Sequence, residues 1–179
     1  SSLLSIYFNS IMRIYQINVW NSLNNQEFMG GERQMTHIDK AKELFEQKYH
    51  CSQAVLAAFA EELWLNEKQA LKLGGCFGGG MCKGEVCGAC TGALMALGLK
   101  HGQCEIEDLD SRLKTNDVTV KFLELFREEN GSYICKELLG CDLATPEGKE
   151  YAKEHNLFTD FCPHMVVSAV KIAEQLLEE

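Results

Sequence analysis

Six consecutive positions, Cys87-Gly88-Ala89-Cys90-Thr91-Gly92, concentrate the chemistry of a chain that carries nine cysteines in 179 residues. The glycine-rich run Gly74-Gly75-Cys76-Phe77-Gly78-Gly79-Gly80-Met81-Cys82-Lys83-Gly84-Glu85-Val86 precedes them and the apolar run Ala93-Leu94-Met95-Ala96-Leu97-Gly98-Leu99 follows, so Cys87 stands where a helix begins. Free backbone N–H groups and the positive end of the helix dipole favour a thiolate at such a position. Thiolates attack disulfides and ligate metals; cysteine chemistry is therefore expected. Cys51 before Ser52-Gln53-Ala54, Cys135 before Lys136-Glu137-Leu138-Leu139 and Cys162 before Pro163 share this helix-start setting. Four helices meeting at those ends could converge four sulfurs on a metal or cluster. Any single buried cysteine is more often a small hydrophobe, and only the shared placement sets these four apart.

The elements that must position them read as helices. Thr36-His37-Ile38-Asp39 has capping-box character, and Ile38, Ala41, Leu44 and Phe45 then share one face. Cys51-Ser52 opens a second segment with a stripe of Val55, Leu56, Phe59 and Leu63, and Asn66 caps a third through Ala70, Leu71 and Leu73. Cys87 to Lys100 is the most apolar helix, expected at the centre. Beyond Gly102, Leu109 and Leu113 predict a short helix, and Val118, Phe122, Leu125 and Phe126 a separate one stopped by Asn130-Gly131. Cys135 starts a short turn of helix ending at Gly140, Thr145-Pro146 starts another, and Cys162-Pro163 starts the last, lined by Val166, Val170, Ala173 and Leu177. No run shows period-two alternation. The expected fold is all-α, a single-domain helical bundle with a Gly/Cys-rich loop before the central helix.

Shorter patterns compete within the loop. Cys87-Gly88-Ala89-Cys90 has thioredoxin-like spacing, which would make Cys87 a nucleophile and Cys90 its disulfide partner, although the βαβ setting of that motif is missing. The spacing Cys82-x4-Cys87-x2-Cys90 matches plant-type ferredoxin ligands, again without the usual sheet. Gly79 and Gly88 are expected to let backbone approach a cofactor closely, whereas Gly148, in the first turn of a polar helix, is expected to tolerate a side chain better. His50 and His164, beside Cys51 and Pro163, are candidate bases or ligands and more often surface residues. No His-Glu-x-x-His, nucleotide-binding fingerprint or Walker loop occurs.

Taken in order, Cys51-Ser52-Gln53-Ala54-Val55, Phe77-Gly78-Gly79-Gly80, Cys87-Gly88-Ala89-Cys90-Thr91-Gly92-Ala93-Leu94, Cys135-Lys136-Glu137-Leu138-Leu139-Gly140 and Cys162-Pro163 resemble the C_GCAxxG_C_C family of redox-active proteins over about residues 37–178. The ordered set is far more specific than any one motif. The family's signature cysteines fall on Cys51, Cys87, Cys135 and Cys162. The resemblance implies a redox role with an iron–sulfur centre held by some of those four, its type left open with [2Fe–2S] among the options, since a similar domain occurs in split-Soret cytochromes beside a non-haem iron site. It does not imply haem, because no Cys-x-x-Cys-His attachment motif is present. Cys76, Cys82, Cys90, Cys104 and Cys141 are additional to the family pattern and leave the ligand assignment open.

Composition bounds the rest. A chain of this length with 46% hydrophobic residues and only two prolines fits one domain with a sizeable core. A net charge of −9 disfavours nucleic acid or an anionic membrane as partner. An odd number of cysteines in so long and helical a chain fits a reducing cytoplasm better than a disulfide scaffold. Residues 1–34, rich in Asn, Ser and Ile and without a helical stripe, read as an extension outside the domain at 35–179. Met35 is the expected start, because Gly30-Gly31-Glu32 would be encoded by purine-rich codons resembling a ribosome-binding sequence. The function expected is electron transfer through a cysteine-ligated iron–sulfur cluster to a redox partner protein or oxidoreductase, with pairing to a second copy also compatible. The alternatives are a thiol–disulfide protein using Cys87 and a structural metal-binding helical module.

Overall fold

The structure, a computed structural model, describes residues 35–179; the extension expected over 1–34 lies outside the described residues. The sequence builds α1 (His37–Glu46), α2 (Cys51–Ala58), α3 (Glu67–Gly74), α4 (Gly88–His101), α5 (Leu109–Asn130), α6 (Cys135–Leu139), α7 (Pro146–Glu154) and α8 (Cys162–Leu177). No strand occurs among the described residues, where an isolated bridge joins Val86 and Ile134. The all-α expectation holds.

Caps fix the helix ends. At α1 the Thr36 side chain accepts from the Asp39 N–H at 3.1 Å while the Asp39 carboxylate accepts from the Thr36 N–H at 3.3 Å, closing the capping box. Asn66 accepts from the Lys68 N–H to start α3, and Thr145 accepts from the Gly148 N–H with Pro146 in the first turn of α7. Gly131 (φ 86°) and Gly140 (φ 66°) terminate α5 and α6 in the left-handed conformation.

Helix α2 is apolar nearly all round and is correspondingly enclosed, packing on α1, α3, α4 and α8. Helix α4 packs on α2, α5 and α8, the central place expected of it. Close approach of α2 and α4 depends on Gly92, where a β-carbon would lie 2.6 Å from the Ser52 carbonyl oxygen. Ser52 itself is fully buried and donates its hydroxyl to the Gly74 carbonyl at 2.7 Å, tying α2 to the end of α3. Phe59, Phe122 and Phe126 are the largest wholly buried side chains, and Phe122 stacks on Phe126 with ring centroids 6.1 Å apart.

Two expectations are corrected. The short helix predicted at Leu109 and Leu113 and the helix predicted through Val118 are one element, the 22-residue α5. The polar run Lys114-Thr115-Asn116-Asp117 contains no glycine or proline, and the Thr115 hydroxyl bonds both the Ser111 and His101 carbonyls, so the helix continues past it. Gly148 is not a tolerant position: it is buried, and a β-carbon there would collide with the backbone of Asp142.

Candidate redox site

The glycine loop is a left-handed turn. Gly79, Gly80, Met81 and Cys82 follow one another at φ of 60°, 60°, 54° and 58°, and Gly84 follows at 66°. Two of the four are not glycine, at roughly 1–2 kcal/mol each for an L-residue held in this region. The turn reverses the chain so that Glu85, Val86 and Cys87 run antiparallel to 133–135. There the Cys87 N–H donates to the Tyr133 carbonyl at 2.8 Å and the Cys135 N–H donates to the Glu85 carbonyl at 2.6 Å. The Val86–Ile134 bridge therefore sets Cys87 and Cys135 side by side as each chain enters its helix: Cys87 caps α4, and Cys135 is the first residue of α6.

Cys51 begins α2 and sits against this pair. Its thiol interacts directly with Cys87, and the backbone N–H groups of Gly79 and Ser52 point at its sulfur. Gly88 makes room for it, since a β-carbon at that position would overlap the Cys51 sulfur and lie 3.0 Å from the Phe77 carbonyl oxygen. The ring of His50 covers Gly78, leaving no space there for a side chain either, and the His50 N–H donates to Gln53 Oε1 at 2.9 Å. Cys162 begins α8 and packs with Cys135, Leu139, Leu143 and Cys141 in a small cluster beside the main core.

The four helix-start cysteines line one cavity of about 780 Å³, together with Gly79 and Cys82. Cys90 does not line it; it is wholly buried and interacts with Cys87 from behind. Cys76 and Cys104 are exposed, and His164 is exposed and does not line the cavity. All nine cysteines are free. Among the described residues no three His, Cys, Asp or Glu side chains gather tightly enough to hold one ion. Sequence reasoning missed the lysines that border the cavity, Lys42, Lys48, Lys149 and Lys153. The four-residue spacing of Lys149 and Lys153 puts them on one helix face, but nothing in the sequence says what that face looks onto.

Electrostatics overturn the thiolate expectation. The hydrogen bond with Cys87 and then burial raise the Cys51 thiol well above its ordinary value of 9.0. For Cys87 the hydrogen bond with Cys51 favours the thiolate, but the contact with Cys90 and burial outweigh it and the net shift is upward. Burial, reinforced by neighbouring sulfurs, pushes Cys135 and Cys162 up to about 12. Desolvation and mutual repulsion win over the helix termini. The consequence for stability has a definite sign. Unfolded thiols deprotonate first as pH rises, so the stability these two groups contribute is complete below pH 9 and is lost as pH climbs towards about 12. Denaturant midpoints of the reduced protein are expected to fall between about pH 8 and about pH 11, and less steeply in a Cys135→Ala, Cys162→Ala double variant, where the remaining fall belongs to Cys51 and Cys87. An equal fall in both would contradict the assignment.

Fold and site together define an all-α protein whose helix-start cysteines share one cavity. A family model described as "Putative redox-active protein (C_GCAxxG_C_C)" matches residues 49–176. The chain belongs to that family. Neither a curated protein nor a solved structure matches it. No helix among the described residues is long and apolar enough to cross a membrane.

Proposed function

We propose that this chain is an electron-transfer protein that holds an iron–sulfur cluster through Cys51, Cys87, Cys135 and Cys162 and exchanges electrons with a redox partner protein in a reducing, cytoplasmic setting. The observation that carries the reading is that these four, far apart in sequence, all start helices and all line one cavity. The donor chemistry fits: a soft, all-sulfur set with no carboxylate among the four. The space fits too, because the four sulfurs border a cavity of about 780 Å³, and the bare Gly88 lets the Cys51 sulfur keep its place beside it. Sulfurs set around one cavity can bind different metal atoms of a single multi-iron core.

When bound, such a cluster supplies a one-electron couple whose potential depends on charge, hydrogen bonds to sulfur and exposure. The chain's own part is to aim the Gly79 and Ser52 N–H groups at Cys51 and the Ala89 N–H at Cys87, and to keep Cys87 and Cys135 buried. Four neutral thiols, whose thiolates would repel one another, become favourable as thiolates once cations sit among them, so metal capture should release protons. The test is anaerobic loading with iron and sulfide. Visible charge-transfer absorption with retained iron and acid-labile sulfide is expected; protein that stays colourless and iron-free under these conditions sinks the reading.

A second reading, a thiol–disulfide protein using Cys87, draws on the position of Cys87 between Cys51 and Cys90. It requires colourless protein that cycles one disulfide dependent on Cys87.

A further inference from the structure

We propose that the cysteine-lined cavity also binds an organic anion with an apolar body, its acid group held by Lys42, Lys48, Lys149 and Lys153. The proposal does not depend on the cluster. A cavity of about 780 Å³ lies in the roughly 300–1,000 Å³ range of small-molecule sites. A cluster core anchored on four sulfurs would fill only part of it. Phe45, Tyr49, Leu143, Phe158 and Met165 supply apolar wall that offers no ligand to iron.

Charge decides what kind of molecule suits that wall. Lys42 comes from α1, Lys48 from the turn after it, and Lys149 and Lys153 from one face of α7. Among the described residues none of the four has an ion-pair partner, whereas Lys40, Lys121 and Lys136 are bonded to Glu67, Glu179 and Glu85. Among the described residues Glu46 is the one acidic residue bordering the cavity. Four unpaired cations on an apolar hollow stand out on a chain of net charge −9. A concave, low-dielectric cleft lined by one sign of charge concentrates ligands of the other sign. Lys48 is held there by a left-handed backbone, φ 73°, an uncommon conformation for a long side chain. An acidic protein would meet a flat basic face better than lysines set around a hollow, so a small amphipathic anion is the occupant the shape favours.

The test is calorimetric titration of the full-length, reduced, iron-free protein with decanoate, and separately with decyltrimethylammonium. Saturable binding of about one decanoate per chain is expected, with the cationic analogue at least about tenfold weaker. Lys149→Glu with Lys153→Glu should weaken decanoate about tenfold, while the charge-matched Lys114→Glu with Lys171→Glu, away from the cavity, should change it less than about twofold. Circular dichroism checks the fold of each variant, and Lys42→Glu on α1 replaces the α7 pair if that pair fails to fold. No saturable heat, equal binding of the cation, or equal weakening in cavity and control variants would overturn the proposal.

Discussion

Cys87→Ser is expected to abolish the visible absorption of protein loaded with iron and sulfide, with Cys135→Ser and Cys162→Ser bleaching or shifting it. Serine keeps the volume but stays protonated where a thiolate is needed. Cys87 should suffer most, because it touches Cys51, is tied to Cys135 through the bridge, and is only 6% exposed, so water cannot stand in for the lost sulfur. Cys104→Ser and Cys76→Ser, both exposed, should leave the spectrum unchanged. Cys141, which the sequence places outside the signature set, packs on the Cys135 and Cys162 cluster and is a poorer control. Cys90→Ser separates the arrangements: retained colour supports the four helix-start ligands, and lost colour supports the Cys82, Cys87 and Cys90 set of the loop. Absorption and iron content of each purified variant are the measurements.

Gly88→Val is expected to empty the site and destabilise the fold together. The new side chain must enter space held by the Cys51 sulfur, the Phe77 carbonyl oxygen and, at 3.3 Å, the Ser52 nitrogen. Backbone on two sides cannot yield as a flexible side chain would, so a cost of about 1–3 kcal/mol for overpacking is expected. Gly79→Val meets only the tip of Leu143 at 3.4 Å, but its φ of 60° charges a strain of roughly 1–2 kcal/mol. Gly98→Ala is the matched control, since nothing lies within 4 Å of a β-carbon there and alanine suits a helix interior better by roughly 0.5–1 kcal/mol. Melting temperature and iron content should fall in Gly88→Val and hold in Gly98→Ala. Full iron retention in Gly88→Val would show that the Cys51 sulfur need not stay where it is.

The sequence carried the helix ends because they are local. Thr36 with Asp39, Asn66, Asn130-Gly131 and Thr145-Pro146 each satisfy orphan backbone groups within a few residues, and each marks an observed boundary. The helix-start placement of four cysteines was legible for the same reason. What was not legible is tertiary. The continuity of α5 owes part of its support to the His101 carbonyl, fourteen residues before Thr115. Gly148 looks permissive until the Asp142 backbone is laid across it. A helix start promises a thiolate only while water solvates it, and neither burial nor the crowding of sulfur on sulfur could be read along the chain. The left-handed conformation of Met81 and Cys82 was hidden too, since only the glycines around them announce such a turn.

The paired amides at Cys87 and Cys135 make a closed loop of residues 88–134, with α4 and α5 as its two arms. Bringing the ends of so long a segment together carries an entropic cost of order (3/2)RT ln n. Here the backbone bridge and the packed core offset that cost without using the cysteine sulfurs. Many small metal domains are unfolded until loaded, because ligand capture and chain closure are the same event. In this protein the base of the hairpin is closed by backbone amides, so equal hydrogen-exchange protection there is expected in preparations with and without added iron and sulfide.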